Sequence, residues 1–174
     1  AEESIILPTG PRANLPFEMQ TQPWVKLLWE EFYNPHWYEY AATGSSQTGK
    51  SLSTFAIPII HCTCEKAEDV IIAAPTKELL EDKVRKDLKP VIMKSKFAHV
   101  WPTVGGAARD GVPDLIELKN GASIKLMSFE GGDKSKAAYT CKDLFFTEID
   151  GTKKSQNSVE ANAIEQILAR ARSE

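Results

Sequence analysis

Apolar positions along the chain follow two periods, and the alternation between them lays out the fold. Thr21 to Phe32 places Trp24, Leu27, Leu28 and Phe32 on one helical face. Thr21 suits the cap of this helix, Pro23 its first turn, and Asn34-Pro35 ends it. Leu52, Phe55, Ala56, Ile59 and Ile60 predict a second helix from Lys50 toward Cys64, which Pro58 should kink or split. Asp69 to Ala74 is a short continuous apolar run, the mark of a buried parallel strand. Pro75-Thr76 breaks it, and Thr76 can cap a long helix reaching about Met93. That helix carries Leu79, Leu80, Val84, Leu88, Val91 and Ile92 as its stripe. Residues 95–113 show no period. Leu115–Leu118 and Ser123–Met127 alternate around Asn120-Gly121, which predicts a β-hairpin. Asp143 to Ile149 is a further apolar strand, residues 151–158 a polar loop, and Val159 to Arg172 a last helix.

Strands alternating with helices predict an α/β fold: a parallel sheet with helices on both faces, plus the hairpin. Residues 1–20, with Pro8, Pro11 and Pro16, are expected to run extended over the surface, and residues 21–174 to form the domain. Ligands in such sheets bind beyond the carboxyl ends of the strands. Composition changes this picture little. The 174 residues are 42% hydrophobic and 26% charged, with a net charge of −3, ordinary for one soluble domain. Nothing marks a dedicated nucleic-acid binder, although a local basic face remains compatible with these numbers. No apolar run is long enough for a membrane span, and no secretory signal is visible. Cys62, Cys64 and Cys141 form no zinc pattern and read as reduced cytosolic thiols. The chain starts without Met and ends in unfinished helix at Ser173-Glu174, as a processed or truncated piece would.

Candidate chemistry centres on Gly44-Ser45-Ser46-Gln47-Thr48-Gly49-Lys50-Ser51, which matches the phosphate-binding P-loop G-x-x-x-x-G-K-[ST]. Two glycines let successive N–H groups curl toward phosphate oxygens, and the following helix adds its positive end. Lys50 can reach the β- and γ-phosphates of ATP, and the Ser51 hydroxyl can ligate Mg²⁺. The run Trp37-Tyr38-Glu39-Tyr40-Ala41-Ala42 before it is expected to be a strand.

A P-loop ATPase also needs an acid at the end of a neighbouring strand. The candidate is Leu144-Phe145-Phe146-Thr147-Glu148-Ile149-Asp150, where Thr147 stands in place of the usual Asp. Three readings stay open. Glu148 polarises water while Thr147 supports a metal-bound water; Glu148 takes the metal role with Asp150 assisting; or the site binds nucleotide and turns over slowly.

With these motifs in order, the chain resembles the ATPase domain of the large terminase subunits of tailed bacteriophages, in the lambda-like branch. The resemblance rests on Leu15-Pro16-Phe17 through Gln22-Pro23-Trp24, the P-loop, Ala74-Pro75-Thr76-Lys77 with its helix, Asn120-Gly121, and the loop containing Gly131-Gly132. It implies a P-loop NTPase fold of the RecA-like (ASCE) kind, ATP and Mg²⁺ as cofactors, and Gln22 reading the adenine edge. It implies a motor that threads double-stranded DNA into procapsids. The partners would be a portal protein and a small terminase subunit, the working form a homo-oligomeric ring, and the location the host cytoplasm. The coupling motif and nuclease domain of the family lie beyond the end of this chain. An arginine near the γ-phosphate is also implied; Arg109, Arg170 and Arg172 are candidates, each reading more readily as a solvated surface charge.

Further contacts have two readings each. Trp24 or Phe17 suits stacking on adenine, and Trp24 also suits core packing. Lys83, Arg85, Lys86, Lys89, Lys94 and Lys96 suit DNA phosphates or a solvated helix face; Lys134 and Lys136 suit a DNA-tracking loop. Three other functions fit parts of the pattern: a helicase-like ATPase, a small-molecule kinase, and a nucleotide-gated assembly module.

Overall fold

The computed structural model describes residues 4–34, 36, 39–44, 49–107, 111–129, 139–149, 164–165 and 167–169. Its centre is β1, Val70–Ala74, with all five residues buried. A strand of Val, Ile, Ile, Ala and Ala has no polar face, so it demands cover on both sides. β2 is Leu115–Glu117, β3 is Ser123–Ser128 and β4 is Asp143–Phe146. β3 and β4 lie parallel to β1 on its two edges, and β2 pairs antiparallel with β3. The result is an open mixed sheet of order β2-β3-β1-β4, with Ile72 opposite both Leu126 and Phe145. The hairpin turns at Asn120-Gly121, where Gly121 has φ +93°, a conformation glycine adopts freely. Sheet and hairpin, separate features in the sequence, are therefore one structure: the hairpin's second strand is a sheet strand, and its first makes the sheet mixed.

Three helices position the site. α1 is Pro23–Phe32. α2 covers residues 51–65: a wide π-helical stretch Ser51–Ala56, an α-helical stretch Ile57–Ile60, and a second wide stretch His61–Glu65. Pro58 falls where the register tightens, and the backbone stays helical through it, so the proline changes the hydrogen-bond register without ending the helix. α3 covers residues 77–94, again with a wide stretch at Val84–Leu88 between Lys77–Lys83 and Lys89–Lys94. Thr76 caps it as expected, its hydroxyl accepting the Leu79 N–H at 3.3 Å.

Phe55, Ile59, Ile60, Leu80, Leu88 and Ile92 pack with Val70, Ile72, Ile124 and Phe145 on one side of the sheet. Ile71, Ala73, Met127, Phe129 and Ile167 close the other. Removing each large aliphatic side chain from water contributes about 1.5–3 kcal/mol. Helical residues thus flank both faces, and β1 lies between two apolar layers.

Four local expectations differ. Residues 39–44 are exposed and form no strand; Trp37 and Tyr38 lie outside the described residues. The Tyr40 hydroxyl donates to the carbonyls of Glu31 and Asn34, which ties this run to the end of α1 rather than to the sheet. Thr21 does not cap α1: its hydroxyl donates to the Glu18 carbonyl at 2.7 Å, and Gln22 takes the cap position ahead of Pro23. The face of α1 is turned by one residue, with Val25 buried, Leu28 and Trp29 half-buried, and Leu27 66% exposed. The Trp29 indole N–H donates to the Ser53 carbonyl at 3.3 Å, docking α1 on α2. Residues 4–17 fold back on themselves instead of running extended. Ile6 and Pro16 form a bridge, and Ile5 and Phe17 enter the core. Of the last helix, residues 164–165 and 167–169 are described and helical or at a helix end.

Candidate functional site

The site begins where the chain enters α2. Of the P-loop, Gly44, Gly49, Lys50 and Ser51 are described; Ser45, Ser46, Gln47 and Thr48 lie outside the described residues. Gly49 has φ +79°, and a Cβ there would overlap the amide of Gln22. The positive φ strains any side chain at this position, and a Cβ would push the Gln22 amide aside. Gln22 is thereby placed against the loop, its Oε1 accepting from the Ser53 hydroxyl at 3.2 Å. The Lys50 ammonium folds back and donates to the Gly44 carbonyl. Phe17 is only 2% exposed, so its ring is committed to the core, whereas Trp24 sits on the outer face of α1.

Lys83 brings the halves of the site together. Its ammonium donates to Ser51 Oγ at 3.2 Å and lies 2.9 Å from Glu148 Oε1 and 3.2 Å from Asp87 Oδ2. The wide turns Ser51–Ala56 and Val84–Leu88 pack on each other, which delivers Lys83 to the start of α2. Burial opposes its charge, while Glu148 and Asp87 favour it; the balance holds its pKa above the ordinary lysine value. Sequence reasoning placed Lys83 on a solvated or DNA-facing helix surface. The signal that would have found it is its place on the Leu80–Val84 side of the helix, beside buried positions.

Thr147 continues the β4 ladder, its N–H donating to the Ala73 carbonyl at 3.0 Å. Strand alternation puts it on the Phe145 side, the side covered by α2 and α3. Glu148 follows with φ +55°, the left-handed region, which is uncommon outside glycine and asparagine. That turn ends the strand at the residue whose carboxylate meets Lys83. Asp150 lies outside the described residues, as do Arg109, Arg170, Arg172, Lys134 and Lys136.

Other α3 cations are held either within the helix or by distant segments, Lys77 by Asp114 at 2.9 Å among the latter. Lys86 pairs with Asp82 at 2.6 Å, Arg85 lies 3.7 Å from both Glu81 and Asp82, and Lys94 donates to Asn14 Oδ1 at 2.7 Å. At the opposite end of the sheet, Cys62, Glu68 and Asp143 bring three ligand-type atoms within 4.8 Å. Burial first, then Asp143, pushes the Cys62 thiol far up; Glu68 Oε1 pairs with Lys142 at 3.1 Å, and its buried Oε2 has no hydrogen-bond partner among the described residues. All three cysteines are free and buried. Among the described residues, no helix is long and apolar enough to cross a membrane. Compared with known proteins, the chain matches no family model, no curated protein and no solved structure.

Proposed function

We propose that this chain binds and hydrolyses ATP with Mg²⁺ and is the motor domain that drives double-stranded DNA into viral procapsids. One observation carries the nucleotide part: the P-loop hydroxyl of Ser51 and the carboxylate of Glu148 meet on a single ammonium. A cation held between these two oxygens stands in for a metal ion, and hard oxygen donors suit Mg²⁺. Ser51 and Glu148 would hold it, with the uncharged Thr147 beside them. Bound there, Mg²⁺ would neutralise charge on the transferring phosphate.

The chain's own groups supply the rest. Backbone N–H groups at the loop and the start of α2 attract the triphosphate. Lys50 exchanges the Gly44 carbonyl for a phosphate oxygen. The Glu148 oxygen left free of the metal would orient the attacking water. Gln22, held beside Gly49, is within the loop's neighbourhood and reads the base. The motor part, with its P-loop NTPase fold, DNA substrate, portal, small subunit, ring assembly and host-cytoplasm setting, rests on the resemblance to large terminase subunits.

A second reading has its own support. Thr147 in place of an acid favours a nucleotide-gated assembly module with slow turnover. Binding of a fluorescent ATP analogue and phosphate release, with and without double-stranded DNA and procapsids, separate the possibilities. DNA-stimulated release supports the motor. Strand separation points to a helicase, binding without release to the assembly module, and phosphate transfer to a metabolite to a kinase. Absence of nucleotide binding removes the proposal.

A further inference from the structure

We propose that Lys83 is a built-in counter-ion: it holds Ser51 and Glu148 in the nucleotide-free protein and gives up its place when Mg-nucleotide enters. The inference rests on the nucleotide-site reading above and adds a regulatory device to it. Lys83 comes from α3, Ser51 from α2 and Glu148 from the end of β4, so one ammonium ties three elements. Its side chain is 18% exposed against 46% for Glu148, so the ammonium belongs to the more buried member of the pair.

Two cations do not share these oxygens. An ammonium at 2.9 Å from Glu148 Oε1 occupies space a divalent ion needs, and the two repel each other. Metal entry therefore requires the ammonium to swing away on its flexible four-carbon stem. Asp87, one helical turn along, still holds part of its charge at 3.2 Å. The polyphosphate tail offers the remaining acceptors. Free Mg²⁺ brings no such acceptors, so it meets the full competition; the metal-nucleotide complex carries its own replacement partner. Lys83 is thus a positioning residue that makes metal binding conditional on nucleotide.

The test is Mn²⁺ binding to the nucleotide-free protein, read by electron paramagnetic resonance. Lys83→Met is expected to bind Mn²⁺ at least tenfold more tightly than the natural protein. Lys83→Arg, which keeps the charge, should stay near the natural value. Glu148→Gln added to Lys83→Met should erase the gain. Equal Mn²⁺ affinities in the natural protein and Lys83→Met overturn the inference. Should the variants not fold, acylation of Lys83 in the natural protein decides, followed by mass spectrometry. Labelling should speed up at saturating Mn²⁺, and an unchanged rate overturns the inference. The ATP analogue is titrated into the same samples. Nucleotide binding with equal Mn²⁺ affinities sinks the counter-ion alone. A tighter Mn²⁺ site in Lys83→Met without nucleotide binding by the natural protein sinks the nucleotide-site reading and the nucleotide-triggered release, and leaves Lys83 a competitor for metal only.

Discussion

At the amino ends of β1 and β3, Asp69 accepts hydrogen bonds from the Ser123 N–H at 2.8 Å and the Ser123 hydroxyl at 2.7 Å. Beside it, Lys142 closes on Glu68, and the Asn120 amide donates to the Thr63 carbonyl at 2.7 Å. At the carboxyl ends of β1 and β4, Ser51, Asp87 and Glu148 converge on the ammonium of Lys83. Both ends are rich in polar groups, and they differ in what those groups hold. The amino end includes two grips on backbone, at the Ser123 N–H and the Thr63 carbonyl, which tie strand and helix directly. The carboxyl end grips a side chain that can move. Positive φ shows the same contrast. Ala67, at φ +56°, sits just past α2, where the Glu68 N–H returns to the Cys62 carbonyl at 2.9 Å, so it serves as a helix stop. Glu148, at φ +55°, follows a strand and ends no helix. Strain of that kind, of order 1–3 kcal/mol, is typical of functional sites.

The largest expected effect strikes the carboxyl end. Glu148→Gln should lower phosphate release by about 10²–10⁴-fold while ATP-analogue binding persists. Unchanged hydrolysis would remove Glu148 from the mechanism and erase the contrast between the ends.

The thiols come next. Burial pushes the Cys141 thiol up to about 12, and burial raises Cys62 and Cys64 as well. A folded-state pKa above the unfolded value gives stability that is complete below the unfolded pKa and is lost as pH rises. Tm should therefore fall by roughly 5 °C between pH 9 and 10.5, with Cys141→Ala flattening the fall. A Tm indifferent to this pH window would mean the thiols ionise freely in the folded chain.

Asp69→Ala probes the amino end. Loss of its two hydrogen bonds should cost about 1–2 kcal/mol, seen as a lower Tm, with nucleotide affinity unchanged. A drop in nucleotide affinity would show that the two ends are coupled. Ala67→Gly should have the smallest effect and the opposite sign, raising Tm by about 2–4 °C through relief of the left-handed backbone. A lower Tm would mean that Ala67 is unstrained, and the comparison with Glu148 would lose its footing.

Much of this molecule could be read from residue order, for reasons visible element by element. The apolar run of β1 admits one interpretation, Thr76 announces α3, and Asn120-Gly121 announces the hairpin turn. The buried face of α1 was legible only to within one residue, because Trp24 and Val25 are both apolar and a helical turn spans about 100° per residue. The run before the P-loop was misread because Tyr40 finds carbonyl partners on α1, a contact that alternation does not encode.

Lys83 marks the boundary most clearly. In the sequence it is one of several lysines and acids spaced four apart, and Asp87 supplies a local partner as good as any. Local patterning sets which residues share a face and which loop carries the glycines of a phosphate-binding pattern. Which faces then meet depends on packing among segments far apart in the chain. The meeting of α2 with α3, and of both with the end of β4, turns a helix-surface charge into the shared partner of Ser51 and Glu148.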